Sequence, residues 1–273
     1  MGAFMTLLLN VFRGYERKHL QIIAAGLAFY FAMSLFPALI LLTALTAYLP
    51  GRNGAERAAS FAAHFVPYQA LSLVEPIITS IKLHRTGLLW LGILTTLWLA
   101  SMGAKAIIQG LDIVYEVERP RSLWMNRFLA LILTLGVGAL LLFAVVLTVV
   151  GPILETLLEH TASVRNLWIR LWPYLQWLLA SMFTFAAIEL LYLLAPNVPA
   201  RKRTTIPGAL VAAVGWLTLA WALGFFYHEF TESQLNAMYG VFATPIALLT
   251  WFNWGAVVIL IGAEINVNLH SAA

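Results

Sequence analysis

Four charged residues at helical spacing carry the clearest chemical signal in the chain: Lys105, Asp112, Glu116 and Arg119. Read as one continuous helix over 105–119, they fall within a stripe about 60° wide, because each helical residue advances the face by about 100°. Two cations and two carboxylates on one face can hold a charged headgroup or gate a cytoplasmic opening. The same stripe also reads as a salt-bridged helix end in water, where exposed ion pairs contribute little. Glu189 is a lone carboxylate in an apolar run, two turns before Pro196. A carboxylate inside a membrane is a functional candidate by default, yet this one also lies close enough to a helix end to reach interfacial water. Ser34 precedes Pro37, so a kink with a freed carbonyl is expected near Met33. Asn253, between Trp251 and Trp254, suits a hydrogen bond between helices. Glu264 closes the last apolar run and reads as a marker of the inner interface.

Other chemistry finds no pattern here. There is no Gly-Lys pair, and so no phosphate-binding loop of the Walker type. The histidines at 19, 64, 84, 160, 228 and 270 have no metal-ligand spacing, and no Gly-x-Ser-x-Gly elbow occurs. The absence of cysteine removes disulfides, thiolate metal sites and a thiol nucleophile together. The expectation is therefore a protein that is not an enzyme, with no cofactor, no metal and no catalytic residue.

The elements that must position these groups follow from composition. Of 273 residues, 62% are hydrophobic and only 10% charged, against about 25% charged in soluble domains. That excludes disorder, a disulfide scaffold and a lysine-coated nucleic-acid-binding domain. It points to an all-α polytopic membrane protein, since a helix needs about 20 mainly apolar residues to cross a bilayer. Six such runs are read, at about 20–50, 87–104, 128–154, 171–195, 204–227 and 240–263. Residues 20–268 then form a single transmembrane domain, with a cytoplasmic amphipathic segment over 1–19 and a short cytoplasmic tail over 269–273. The outer loop 51–86 has spaced apolar residues divided by Pro67 and Pro76, which suits short interfacial helices. Small residues at Ala24, Ala28 and Ala32, and at Gly208 and Ala212, suit close helix packing.

Charge sets the orientation. One set of loops carries Arg13, Arg17 and Lys18, then Lys105, Arg119, Arg121 and Arg127, then Arg201, Lys202 and Arg203. The other set carries Arg52, Arg57, Lys82 and Arg85, then Arg165 and Arg170. The first set is richer and denser, so the positive-inside rule places both termini in the cytoplasm.

Several motifs then carry a family resemblance. Residues 24–37, Ala-Ala-Gly-Leu-Ala-Phe-Tyr-Phe-Ala-Met-Ser-Leu-Phe-Pro, resemble the first-helix signature of the YihY/BrkB membrane proteins. Leu111–Tyr115 with Arg119, Leu191–Asn197, Pro207–Ala209, Tyr239-Gly240 and Ile261–Asn266 resemble the later motifs of that family, in order, over about residues 15–268. The chain departs from the pattern at Asp112, where many members have Asn, and at Glu189, where an apolar residue is expected. The resemblance implies a bacterial inner-membrane protein with six helices. It also brings two labels, "ribonuclease BN" and "virulence factor BrkB", the latter tied to resistance to serum killing.

Three functions are weighed. The first is an ATP-independent transporter or flippase-like carrier of an anionic lipid, glycolipid or other small anionic solute, with membrane lipids as partners and no nucleic acid. The second is a non-transporting envelope scaffold, for which a homo-oligomer is compatible with the small-residue ridges. The third is a membrane-associated ribonuclease, which the sequence supports least because it offers no metal cluster.

Overall fold

A backbone in hydrocarbon must satisfy its polar groups internally, and a chain this apolar does so by forming helices. The computed structural model describes residues 2–46, 86–119, 121–136, 139–140, 162–198, 205–230 and 243–271. The elements are α1 (Gly2–Arg17), α2 (Leu20–Thr46), α3 (Thr86–Val114), α4 (Leu123–Gly136), α5 (Ala162–Leu194), α6 (Ile206–Phe230) and α7 (Ala243–Ser271). No strand occurs among the described residues.

Among the described residues, three helices have stretches long and apolar enough to cross a membrane: Leu97–Val114, Asn166–Leu194 and Leu248–His270. The runs expected at 20–50, 128–154 and 204–227 coincide with shorter apolar helices, Leu20–Ser34, Leu123–Gly136 and Ile206–Ala222, within the described residues. Several boundaries shift. Helix α3 continues past 104 to Val114, carrying Lys105 within it, α5 begins at Ala162 rather than 171, and α7 runs on past 263 to Ser271. Helix α2 stays one helix across Pro37, and Ser34 Oγ donates to the Phe31 carbonyl at 2.8 Å. Pro207 sits in the first turn of α6, where its missing N–H costs nothing. The interfacial helices expected in the loop 51–86 lie outside the described residues.

Helix α7 is the central element, packed against α1, α2, α3 and α6, while α5 packs on α6. The core gathers Leu20, Ala24 and Leu27 of α2, Ile108 and Leu111 of α3, Tyr192 of α5, Ala209 and Ala212 of α6, and Leu260 and Ala263 of α7. Ala24 and Ala28 are both buried, as a small-residue packing ridge requires. Helices α6 and α7 approach closely at Gly208 and Gly262. A Cβ at Gly262 would lie 2.5 Å from the Tyr192 hydroxyl and 2.6 Å from the Gly208 carbonyl oxygen. Large apolar side chains face outward instead on α5, where Tyr174, Trp177, Leu178 and Met182 are exposed. An outward apolar face of that kind is what a helix against lipid presents.

This crossing gives a paired test. Gly262→Ala should destabilise the protein by about 1–3 kcal/mol, because backbone lies in the way of the new methyl group. Gly26→Ala, with nothing within 4 Å of the added atom, should be neutral or slightly stabilising through helix propensity. Thermal unfolding of both variants in one detergent separates the two outcomes, and equal melting temperatures would contradict the packing described.

Candidate functional site

The polar groups collect where α1 turns into α2 and where α3, α5, α6 and α7 end or begin. Lys18 lies at the α1–α2 junction with its side chain only 6% exposed. Its ammonium donates to Glu264 Oε2 on α7 at 2.8 Å and to the Val114 carbonyl at the end of α3 at 2.7 Å, and lies 3.4 Å from Glu116 Oε1. An ammonium has three donors, and three oxygens surround this one. Glu264, with its side chain 4% exposed, is held further by Asn268, whose Nδ2 donates to the Glu264 carbonyl at 2.9 Å and lies 3.3 Å from its Oε1. Gly14 leaves room for the carboxylate, because a Cβ there would collide with Glu264.

Helix α3 ends in a tight cap. The Val117 N–H donates to the Asp112 carbonyl at 2.9 Å and the Glu116 N–H to the Ile113 carbonyl at 3.2 Å, the paired bonds of a Schellman motif. Glycine is usual at the left-handed position of that motif, but here it is Glu116, with φ 50°. His19, at the α1–α2 turn, is also left-handed at φ 51°. Each costs about 1–3 kcal/mol of local strain. The conformation at 116 directs a carboxylate to α1, where it pairs with both Arg17 and Lys18.

Asp112 is turned to a different task. Its Oδ1 accepts the Asn197 N–H at 3.0 Å, while Asn197 Nδ2 donates to the Arg119 carbonyl at 2.7 Å. Arg121 completes the joint by donating to the Ala195 carbonyl at 2.6 Å, the Leu194 carbonyl at 3.2 Å and the Pro196 carbonyl at 3.3 Å. These are the carbonyls that a helix end leaves without intrahelical partners, and a cation there also favours the helix dipole. The end of α5 is thus clamped to the α3–α4 connection.

A third set joins α5, α6 and α7. Asn266 is 1% exposed, and its Oδ1 accepts the Gly208 N–H at 2.7 Å, satisfying a first-turn donor of α6 from a neighbouring helix. Its Nδ2 lies 3.4 Å from the Tyr115 hydroxyl. The Tyr192 hydroxyl donates to the Ile259 carbonyl at 2.5 Å. Thr205 Oγ1 donates to Glu189 Oε1 at 2.5 Å, and Glu189 Oε2 is hidden without a hydrogen-bond partner.

The expected stripe therefore does not form as one helical face. The helix stops at Val114, and the two carboxylates diverge, Asp112 to Asn197 and Glu116 to α1. Lys105 stays on α3, half-buried, and Arg119 is exposed in the connection that follows. Asn253 does make a hydrogen bond between helices, accepting from Gln21 Nε2 of α2 at 3.1 Å. Among the described residues no group of three His, Cys, Asp or Glu could hold a metal ion. Sequence reasoning missed Lys18, Asn266, Tyr192 and Arg121 as organising groups. The available signal was that Tyr192 and Asn266 fall inside the family-like motifs Leu191–Asn197 and Ile261–Asn266.

Those motifs are the ones that meet at this rim, and comparison with known proteins agrees with them. The family model described as "Virulence factor BrkB" matches residues 11–273. The chain belongs to the BrkB virulence-factor family. One relative is "Putative ribonuclease-like protein YfkH" of Bacillus subtilis, 33% identical over 267 residues that cover 97% of this chain and 96% of that protein. Another is a "UPF0761 membrane protein" of Azotobacter vinelandii, 28% identical over 254 residues, 91% of this chain but 59% of that protein. A similar relative from Aromatoleum aromaticum is 27% identical over 254 residues, 91% of this chain and 60% of that protein. The BrkB-family chain thus spans nearly all of one relative and about three fifths of the other two. No solved structure matches it.

The buried pair sets a stability prediction for this BrkB-family chain. Removing one partner, by Lys18→Met or Glu264→Gln, should cost about 3–5 kcal/mol, because the other is left buried among groups arranged for a charge. The double variant Lys18→Met/Glu264→Leu should cost clearly less than the sum. Denaturant unfolding in mixed micelles, followed by tryptophan fluorescence, measures the cycle; additive costs would show that the two groups are not coupled.

Proposed function

We propose that this BrkB-family membrane protein is an ATP-independent carrier that moves an anionic lipid, glycolipid or other small anionic solute across the bacterial inner membrane, with both termini in the cytoplasm. The observation that carries this reading is an imbalance at the polar rim. Four carboxylates are taken up by the fold, Glu264 by Lys18, Glu116 by Arg17 and Lys18, Asp112 by the Asn197 N–H and Glu189 by Thr205, while Glu16 and Glu118 stay exposed. The Lys105 and Arg119 side chains have no carboxylate within ion-pair distance among the described residues. A half-buried cation and an exposed one then remain beside apolar helices, and in low dielectric such groups favour an anion. Carriage of this kind needs no nucleotide and no cofactor. The bacterial sources of the relatives and the basic loops support an inner-membrane location with internal termini.

The name of the YfkH relative gives a second reading, RNA cleavage. Metal-assisted hydrolysis of that kind draws on clustered carboxylates, and no group of three metal-ligating side chains gathers among the described residues.

Purified protein in proteoliposomes tests both readings. Leaflet-specific quenching of labelled lipids should show faster movement of an anionic probe than of a zwitterionic one. Lys105→Ala or Arg119→Ala should slow the anionic probe by about tenfold, the worth of one lost charge-assisted contact. Movement no faster than in empty liposomes, with folded protein, overturns the carrier; metal-dependent RNA cleavage that persists through purification would establish the alternative.

A further inference from the structure

One cation outside the rim is placed unlike the others. Arg127 lies in the early turns of α4, and its guanidinium carbon sits 4.0 Å from the centroid of the Trp98 ring on α3. Its Nη2 atom is closed off and has no hydrogen-bond acceptor, and the side chain makes no ion pair among the described residues. Apart from the buried Asn126, whose Oδ1 also lacks a hydrogen-bond partner, its near neighbours on α4 are apolar. Ala130 and Leu133 face the core, while Leu123, Trp124, Phe128 and Leu135 are exposed on the outward side. Trp98 is itself 58% exposed, so the stacked pair lies at the surface of the helix bundle and not inside it. Asp112, the acid that shares α3 with Trp98, is committed to the Asn197 backbone.

An arginine that is stacked, partly hidden and without an acid is costly to hold in an apolar setting. Stacking on an indole face offsets part of this and fixes the plane of the guanidinium. The closed-off Nη2 cannot take part, so the Nε–Nη1 edge of this planar fork is the part that matches a phosphate, which takes two parallel N–H bonds. Lys105 follows Trp98 by seven residues on α3, which returns it to nearly the same face about 10 Å along the axis. Lys105 also has no carboxylate within ion-pair distance among the described residues. Two cations therefore line one face of α3, one stacked at the outward surface and one closer to the polar rim.

We infer that Arg127, stacked on Trp98, is a recognition group for the phosphate of an anionic lipid headgroup, with Lys105 as a second station toward the rim. This deepens the carrier reading and rests on it for its role in movement, though the binding site stands independently. The phosphate could arrive on a lipid or free in solution, and the test separates the two sources.

The full-length protein in detergent is titrated with phosphatidylglycerol, or with phosphatidylcholine of the same acyl chains, and bound lipid is counted by native mass spectrometry. The wild type should retain phosphatidylglycerol in preference to phosphatidylcholine. Arg127→Gln should weaken phosphatidylglycerol binding by about tenfold. Arg127→Lys should recover only part of it, because an ammonium lacks the planar fork. Trp98→Phe should bind better than Trp98→Leu, which has no ring to stack on. Arg13→Gln, on the exposed face of α1, removes one charge elsewhere and should leave binding unchanged. If Arg127→Gln does not fold, the lysine variant and the Trp98 pair decide the matter, since they keep the charge. An unchanged preference for phosphatidylglycerol in these variants overturns the inference. Competition with millimolar inorganic phosphate names the source: displacement of the lipid identifies the free anion as a ligand, and its failure identifies the headgroup. Arg127-dependent binding without any lipid movement would leave this site standing and remove the carrier. Lipid movement with binding indifferent to Arg127 would do the reverse.

Discussion

The burial of one ammonium group organises the polar end of this protein. Lys18 gives up nearly all contact with solvent, and that is tolerable only because its ammonium donates to oxygens of α7 and of the end of α3 and lies within ion-pair distance of Glu116. The requirement reaches through the fold. Helix α3 must stop at Val114 to offer its carbonyl, Gly14 must lack a side chain, and Glu116 must adopt a left-handed backbone. One buried positive charge thus fixes the mutual placement of three segments that are far apart in the chain.

The remaining helix ends use the same logic with different groups. Arg121 and Asp112 fasten the end of α5 to the α3–α4 connection, and Asn266 satisfies the start of α6 from α7. In each case a polar side chain answers a backbone group that a helix end leaves open. The outcome for function is subtraction. Most polar residues at the rim are spent on holding helices, and Lys105 and Arg119 are left there with no ion pair among the described residues.

Much of this was legible beforehand. Long uncharged runs read directly as helices, the alanines at 24 and 28 as a packing ridge, and Asn253 as a link between helices. The charged stripe over 105–119 was not legible, because its geometry depended on a helix continuing to Arg119. The stop after Val114 has no glycine to announce it; a glutamate occupies the left-handed position and is held there by arginine and lysine from another helix. Lys18 and Glu264 are separated by 246 positions in sequence, and no periodicity within either helix could bring them together. Local pattern foretold the elements, while their ends were decided by tertiary contacts.

The length of α5 carries a consequence of its own. Its apolar stretch Asn166–Leu194 has 29 residues, which at about 1.5 Å each measures about 43 Å against a hydrocarbon core of about 30 Å. Upright, it would leave about nine apolar residues beyond the lipid tails, so hydrophobic mismatch demands a lean of about 45° or a locally thickened bilayer. Trp168 and Trp172, stacked with centroids 4.8 Å apart near the start of this stretch, supply a pair of indoles suited to the headgroup layer. The other end is fixed by Arg121 to α3 and α4. A helix tethered at one end and longer than the lipid core ties the geometry of the polar rim to the thickness of the membrane around it.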